Sequence, residues 1–474
     1  MHWKYNASCT ADAALRRDLD HLSKEQPARL LDPLFTTDSM REIFSDRRRL
    51  QGMLDFEAAL ALALVRAGVV PDESFKPIIA QCTADRFAMD VLAREAALAG
   101  NFAIPLVKAL TAAVAKSDPK AAGVVHWGAT SQDAIDTGLV LQLREALDLL
   151  QRELAQFSSA LARVTETHQS TLLAGRTWLQ QASPVTLGLK VAGWLDAIHR
   201  HQARLANARK EVSTLQFGGA VGTLAALGEK GPAVAAALAS ELKLELPSIP
   251  WHTHRDRFAE VATTLGLLVG TLGKIARDIS LLAQTEVGEV LEPAESGRGG
   301  SSTLPHKRNP VGSAVVLAAA IRVPALVSVM LTAMVQEHER GLGGWHAEWE
   351  TLPEIFLLAA GALAHMTHVM DGLEVYEEYM THNLAATHGL ILSEAVAIAL
   401  AKHIGRSPAH QLVEHASYRA LESGRPLRDL LLEDQEVRAH LSSAEIDGLL
   451  DPKNYTGSAA SMIQRVLADE KKNR

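Results

Sequence analysis

Cysteine is nearly absent from this sequence. Cys9 and Cys82 are its two cysteines among 474 residues, and neither belongs to a CxxC or Cys/His spacing of the kind that binds zinc. A disulfide-bonded scaffold and a zinc site are therefore not expected. The low cysteine content fits a protein of the reducing cytoplasm, and we expect that location.

Dense basic runs are also lacking. The 47 lysines and arginines are outnumbered by 55 aspartates and glutamates, which gives a net charge of −8, and no basic run is interleaved with aromatic residues. A surface that follows a phosphate backbone needs such a run, so nucleic acid is not an expected partner.

Long uninterrupted apolar runs are missing as well. Charged or histidine side chains cut every apolar run well short of the ~20 residues that span a bilayer. The first 30 residues have mixed charges and no apolar segment of the length that a secretory signal needs. We therefore expect a soluble protein with no membrane partner, in which residues 1–30 form a flexible extension.

What the sequence has in quantity is apolar residues spaced for helices. A chain of 474 residues is too long for one ordinary core, so two or three domains are expected. Apolar residues recur in steps of three and four, which is the spacing of one helix face. The stretches with this spacing are residues 137–164, 194–215, 258–282, 315–330 and 352–373. They predict an all-α fold around a central bundle of about five long helices.

Two breaks in this pattern divide the chain. They lie near "GATSQD" and "LAATHG", which carry turn-forming residues. The breaks predict an N-terminal helical domain over 1–130, the central bundle over 131–384 and a C-terminal helical domain over 385–474. Apolar stripes of this length expose more surface than one bundle can cover, so we also expect a homo-oligomer.

Three polar segments interrupt the helices, and each carries hydroxyl, amide or cationic side chains near the end of a long helix. Helix N-termini and hydroxyl groups bind carboxylates, and helix ends from different helices or subunits can converge. The segments are candidates for one shared site. They are residues 125–138, 174–190 and 296–310.

The first two segments also have plain structural interpretations. Thr130, Ser131 and Asp133 have the side-chain oxygens that cap the N-terminus of a helix. The second segment reads as a loop in which Trp178 packs and the two glutamines after it satisfy backbone groups. Neither segment alone establishes a site.

The third segment favours function more strongly. Its sequence, "SGRGGSSTLPHKRNP", places Ser301 and Lys307 on a stretch rich in glycine, which lets the backbone move and exposes N–H groups. A mobile loop that carries a hydroxyl group and a cation is typical of a catalytic site.

Together the three segments resemble the signature regions of the fumarase/aspartase superfamily. The pattern Gly-Ser-Ser-x-x-Pro-x-Lys-x-Asn-Pro of its third region is intact in residues 300–310, and the resemblance extends to "FSDRRRLQGMLDFEAALA" and "HIGRSPAHQLVEHA" near the two ends of the chain. The resemblance implies an all-α fold of three helical domains and a homotetramer whose sites are shared by several subunits.

One branch of the superfamily is similar in finer detail. In this cycloisomerase branch, a carboxylate of a tricarboxylic substrate closes onto a double bond to give a lactone, with no cofactor. The similar stretches are "AGNFAIPLVKALT", "VHWGATSQD", "GRTWLQQA", "GGSSTLPHKRNPVGSAV" and "QEHERGLGGWHAEWETLPE".

The resemblance also implies roles for individual residues. Ser301 would transfer the proton, while Lys307 and Asn309 would offset the charge of the dianionic intermediate. His126 is either a further acid–base group or a structural histidine before a turn. The residues implied to hold the substrate are Thr130, Ser131, Trp178, Gln180, Asn309 and Arg340. Without the resemblance, Arg340 could equally form a surface ion pair with Glu337 or Glu339.

Two other functions stay open at this point. One is a lyase of the adenylosuccinate lyase type that releases fumarate, but Trp178 stands where that enzyme has a histidine. The other is a non-catalytic helical scaffold, which has no need of Ser301, Lys307 and Asn309 on a flexible loop.

Overall fold

The computed structural model describes residues 29–295 and 297–473. Most of the predicted extension over residues 1–30 therefore lies outside the described residues. Helices dominate the described chain, and the predicted all-α class is confirmed. The helices are α1 (Asp32–Phe35), α2 (Asp38–Ile43), α3 (Asp46–Arg66), α4 (Phe75–Ile79), α5 (Met89–Ala99), α6 (Ala103–Ala115), α7 (Pro119–Ala122), α8 (Ser131–Thr167), α9 (Leu187–Val212), α10 (Gly231–Leu242), α11 (Asp256–Leu282), α12 (Val311–Ala333), α13 (Gly344–Asp371), α14 (Glu377–Ala385), α15 (Ser393–Ile404), α16 (Arg406–Ser423), α17 (Leu427–Glu433), α18 (Gln435–His440), α19 (Ser443–Leu449) and α20 (Ala459–Asn473).

Five long helices, α8, α9, α11, α12 and α13, form the central bundle, as the apolar spacing predicted. α8 has 37 residues and is therefore about 55 Å long. Its apolar stripe is buried in the core at Leu143, Leu147, Leu150, Leu154 and Phe157. Burial of this stripe, more than helix propensity, stabilises so long a helix.

Contacts at both ends of α8 show that α8 and α13 run in the same direction. Trp345 Nε1 donates to Asp136 Oδ1 at 2.9 Å near the start of both helices. Arg163 pairs with Asp371 where both helices finish. We call the end with Asp136 the first end of the bundle and the end with Asp371 the second end.

A buried ion cluster fixes the first end. The Arg255 guanidinium contacts Asp136 at 2.6 Å and Glu348 at 3.0 Å, and all three side chains are only 1% exposed. The guanidinium also lies over the Phe258 ring, 4.7 Å from its centroid. Burial raises the pKa of Glu348, against the opposing effect of Arg255. The cluster ties α8, α11 and α13 together just below their N-termini.

In the described part of the chain, two short antiparallel sheets accompany the helices. The strands β1 (Leu172–Thr177) and β2 (Gln180–Thr186) form a hairpin between α8 and α9, with Thr177 opposite Gln180. The strands β3 (Val290–Leu291) and β4 (Glu374–Val375) pair at the second end of the bundle. The structural alternative of a plain loop at "RTWLQQASP" was therefore wrong. A Cβ at Gly175 would approach the Ser183 carbonyl to 2.5 Å, so the hairpin needs glycine there.

The C-terminal part of the chain has a core of its own. Buried side chains of α15 to α19, among them Val396, Leu400, Val413 and Leu431, form a separate cluster. The segment "HLSSAEIDGLL" contains α19. The helix α20 returns to the bundle, where Glu470 contacts Ser158 and His199. The division at residues 130 and 384 stays a prediction.

Three bundle helices have the length and composition of membrane spans. They are α11, α12 and α13, and 61%, 28% and 67% of their most apolar windows are buried inside the fold. The expectation that charged residues exclude such helices was therefore too strong, because one or two charges are compatible with this hydropathy. α11 and α13 bury their apolar surface in the core. α12 leaves apolar side chains such as Ile321, Val329 and Leu331 exposed.

The ion cluster gives a stability prediction. Replacing Arg255 with Met leaves Asp136 and Glu348 buried without their cation, which costs about 3–5 kcal/mol. We expect a clearly lower urea midpoint at fixed protein concentration. The control is Arg428→Met, which removes the exposed pair with Asp447 and has little effect. Equal midpoints for the two variants would show that the cluster does not hold the bundle.

Candidate active site

The third polar segment forms a loop with a closed neck. The Asn309 N–H donates to the Gly299 carbonyl at 2.8 Å, and the Asn309 side-chain amide donates to the same oxygen at 3.1 Å. Gly299 has φ +69°, and a Cβ there would lie 2.6 Å from the Asn309 carbonyl oxygen. In this conformation the Asn309 amide closes the neck of the loop.

Two carboxylates anchor the same neck to the bundle. Glu374 forms a two-pronged ion pair with Arg308 at 2.7 and 2.9 Å and accepts the Tyr376 hydroxyl at 2.6 Å. The hydrogen bonds from Arg308 lower the pKa of Glu374 to about 2. Glu292 accepts the N–H groups of Gly312 and Ser313 at 2.9 and 2.7 Å and so caps α12. Neither glutamate stood out in the sequence, because each acts on residues distant along the chain.

The tip of the loop carries Ser301, the predicted proton-transfer residue, and Lys307, which is predicted to offset negative charge. Ser301 Oγ accepts the N–H groups of Leu304 at 3.1 Å and of Thr303 at 3.4 Å. N–H donors aimed at a hydroxyl oxygen favour its ionised form. Lys307 is exposed, and no ion pair engages its ammonium group within residues 29–295 and 297–473. Its charge is available to a ligand.

The hairpin presents the second polar segment. Trp178 and Leu179 form its tip, with φ of +53° and +65°, and Trp178 is 96% exposed. The expectation that Trp178 packs was wrong within this chain, and Gln180 is exposed beside it. The hairpin is fixed close to its tip by Arg176, which pairs with Gln181 and contacts the fully buried Glu289 at 2.7 and 2.9 Å. This contact holds the hairpin at the second end of the bundle.

The first polar segment does cap a helix. Thr130 is the N-cap of α8, and its N–H donates to Asp133 at 3.1 Å. The buried Asp133 carboxylate also accepts the N–H groups of Gly218 and Gly219 at 3.0 and 2.9 Å. Burial raises the pKa of Asp133 to about 6, and these donors oppose the rise. Thr130 and the adjacent Ser131 remain half-exposed at the N-terminus of the longest helix.

Arg340 lies beside this segment. Its guanidinium donates to the carbonyls of Gly219 at 2.6 Å and Ala220 at 3.0 Å and to the side chain of Gln132. The alternative ion pair with Glu337 or Glu339 does not form in the structure, where Glu337 accepts the Leu342 N–H. Among the described residues the three hydrogen-bond partners of Arg340 are neutral, so they do not cancel its positive charge.

His126 stands four residues before the N-cap of α8. Its Nδ1 lies 2.5 Å from Oε1 of Glu57, a residue of α3 that is only 2% exposed. Burial lowers the pKa of His126, but Glu57 and Asp133 outweigh it and the net shift is upward. Glu57 could not be predicted as a partner from the sequence, because it lies 69 residues away along the chain.

These residues form two separate sets within one chain. His126, Thr130, Ser131 and Arg340 lie at the first end of the bundle, and the hairpin and the loop lie at the second end. From Asp136 to Arg163, the residues that mark the two ends of α8, the helix spans about 40 Å. A single chain therefore does not bring the three polar segments together.

The described part of the chain contains no group of three or more His, Cys, Asp or Glu side chains placed to hold a metal ion. Cys82 is buried, and burial raises the pKa of its thiol to about 12.

The sequence matches two family descriptions. Residues 34–325 match the family described as lyase, and residues 389–466 match the C-terminal domain of adenylosuccinate lyase. The chain belongs to this lyase family of the fumarase/aspartase superfamily, as the signature regions indicated.

Individual members of this family are similar to this chain over nearly its full length. The chain is 58% identical to 3-carboxy-cis,cis-muconate cycloisomerase of Pseudomonas aeruginosa, over 93% of this chain and 96% of the relative. It is 41% identical to trans-aconitate decarboxylase 1 of Mycosarcoma maydis, over 92% and 88% of the two chains. The crystal structure of the 3-carboxy-cis,cis-muconate lactonizing enzyme of Pseudomonas putida has a TM-score of 0.89 at 53% identity, covering 94% of this chain and 99% of that one. The named compounds are small carboxylates.

The loop anchor can be tested directly. Glu374→Gln removes the charge that holds Arg308 and leaves the loop sequence unchanged. We expect trypsin to cleave after Lys307 several-fold faster, because proteolysis follows local opening. The matched control is Glu433→Gln, which removes a carboxylate from an exposed arginine pair. Equal cleavage rates for both variants would mean that Glu374 does not restrain the loop.

Proposed function

We propose that this protein converts 3-carboxy-cis,cis-muconate to 4-carboxymuconolactone, a step in protocatechuate catabolism. The observation that carries the proposal is the near full-length identity of 58% to a cycloisomerase of that substrate. The residues agree with it, since Ser301, Lys307 and Asn309 are intact and Trp178 replaces the histidine that a fumarate-releasing lyase uses. The reaction is an isomerisation that needs no cofactor.

The chemistry requires one bond to carbon and one proton. A carboxylate oxygen of the substrate adds to a double-bond carbon, and the electron pair moves toward a neighbouring carboxylate to give an aci-carboxylate dianion. A proton delivered to the adjacent carbon completes the lactone. Because the nucleophile is tethered to its acceptor, positioning alone supplies much of the rate.

Ser301 is the proposed proton donor. Loss of a proton leaves an alkoxide, whose charge the N–H groups of Leu304 and Thr303 offset through contacts at 3.1 and 3.4 Å. The ammonium group of Lys307, free of other ion pairs within the described residues, offsets the charge of the aci-carboxylate. Asn309 contributes by shaping the loop and donating toward the substrate once the loop closes.

The remaining site residues are proposed to hold the three carboxylates. Arg340 keeps an uncancelled charge and a planar set of donors that fits a carboxylate. Thr130 and Ser131 add hydroxyl groups at a helix N-terminus. Trp178 and Gln180, exposed at the hairpin tip, cover the substrate from another side.

Ultraviolet absorbance tests the reaction. Purified protein without added metal or cofactor is mixed with 3-carboxy-cis,cis-muconate, and the conjugated diene band should disappear as the lactone forms. Release of fumarate from adenylosuccinate, with no loss of the diene, would favour the lyase instead. A folded protein that changes neither substrate would favour the scaffold.

Variants of the two neighbouring serines distinguish a catalytic role of Ser301 from a structural role in the loop. Ser301→Ala should lower kcat/KM for the muconate roughly 100-fold or more, because the proton donor is lost. Ser302→Ala alters the neighbouring hydroxyl, to which no role is assigned, and should stay within a few-fold of wild type. Equal losses in both variants would argue against Ser301 as the proton donor.

We propose further that the protein is a cytoplasmic homotetramer whose sites are shared between subunits. The separation of about 40 Å between the two sets of site residues supports sharing, since neither set is complete. The exposed apolar side chains of α12 support assembly. So does an open groove of about 720 Å³ between α9 and α11, which is lined by Gly193, Gly266 and Gly270.

Mixed oligomers test the sharing. Arg340→Ala removes a first-end residue and Ser301→Ala a second-end residue, so each variant alone should be inactive. After co-refolding in equal amounts, activity should return to about a quarter of wild type, because each contributing chain is intact in about half of cases. Failure to recover activity in oligomers shown to be mixed would place both residues of a site on one chain.

A further inference from the structure

The Glu57 carboxylate is buried in the core. It lies on α3 and is 2% exposed, and its Oε1 is 2.5 Å from His126 Nδ1. Its second oxygen, Oε2, is buried without a hydrogen-bond partner among the described residues. The Cys82 thiol also lies near, but it supplies no positive charge. A buried carboxylate needs a cation, and His126 is the group that can supply one.

The histidine is held in an unusual backbone conformation. His126 has φ +59°, a left-handed value that is uncommon for residues other than glycine. Such strain persists where the surrounding structure enforces it, and it clusters at functional sites. Here the short contact with Glu57 fixes the ring, with Nδ1 facing inward.

The other ring nitrogen is left for a ligand. The His126 side chain is 16% exposed, and Nε2 has no hydrogen bond within the part of the chain that the structure describes. The ring belongs to the first-end set of site residues, four positions before Thr130. The charged groups that act on it are Glu57 from α3 and Asp133 from α8. Both are negative, and both favour a ring that carries a proton on each nitrogen.

We propose that Glu57 is a positioning residue that holds His126 as an imidazolium, and that the Nε2–H of this imidazolium binds one carboxylate of the substrate. The inference rests on the proposed function only for the identity of the substrate. In this arrangement His126 acts as a positive charge that binds substrate, and Ser301 alone delivers the proton to carbon. Arg340 and His126 then supply positive charge at the first end, and Lys307 supplies it on the loop.

Glu57→Gln tests this arrangement. The amide keeps a hydrogen bond to the ring but loses the charge, so burial then lowers the pKa of His126 with only Asp133 in opposition. In wild type the imidazolium persists to a higher pH than that of an unperturbed histidine and is lost as pH rises through the raised pKa. In the variant it is lost at lower pH. We expect KM to rise about tenfold near pH 7.5 with kcat nearly unchanged, and the KM ratio to shrink as pH falls.

A direct readout does not depend on turnover. Histidine labelled with ¹³C in the ring gives a signal for His126, assigned by its loss in His126→Gln, and its titration midpoint should fall in Glu57→Gln. Tricarballylate, an unreactive tricarboxylate, should shift this signal in wild type and bind more weakly to the variant. If the muconate is not turned over but tricarballylate behaves in this way, the proposed function fails and this inference stands.

Glu470→Gln is the matched control. It removes the charge from another buried glutamate that contacts a histidine, His199 at 2.8 Å, and neither residue belongs to the proposed site. It should leave KM and the His126 titration unchanged. Glu57→Gln should add nothing further in a His126→Gln background, because both changes remove the same interaction. An unchanged His126 midpoint in Glu57→Gln, a KM ratio independent of pH, or additive effects would overturn the proposal.

Discussion

The fold depends on one buried arginine. Arg255 sits between Asp136 and Glu348 with all three side chains sealed from water, and it links three of the five long helices at one level. Charges in such a place must pair with one another, so α8, α11 and α13 cannot slide or turn independently. Since a helix advances by a fixed 1.5 Å per residue, setting their first ends also sets where the loop and the hairpin emerge, about 40 Å away.

The arginines near the proposed site differ in whether a carboxylate neutralises their charge. Arg176 and Arg308 each form a bidentate ion pair with a glutamate. These pairs neutralise the arginine charge and hold the hairpin and the loop neck in place. Arg340 is held by backbone carbonyls and a glutamine side chain, which fix its position without neutralising it. The pattern separates structural cations from those available to an anionic substrate. The structural arginines need glutamate partners of their own, which is why buried and half-buried glutamates occur near a site proposed to bind a carboxylate substrate.

The sequence predicted what local patterns determine. Stripes in steps of three and four located the bundle helices, and the hydroxyl residues before α8 predicted its cap. The loop proposed to be catalytic was identified from its motif. The sequence did not reveal the hairpin, because its strands are short and its tip takes left-handed φ at Trp178 and Leu179, which propensity does not foresee. Long-range pairs such as Glu57 with His126 could not be predicted either, because residues 69 positions apart come into contact only when the chain folds.

The length of the bundle helices determines how such a site can be assembled. A rigid bundle holds its two ends far apart, so residues from both ends can meet only if another copy runs in the opposite direction. The exposed tryptophan of the hairpin and the bare apolar face of α12 would be liabilities on a monomer. In the proposed tetramer they are contact surfaces, and the interactions that bury them are the same ones that complete the site. Activity and assembly are then inseparable, because an isolated chain has the proposed proton donor and the first-end cations but cannot bring them to one substrate.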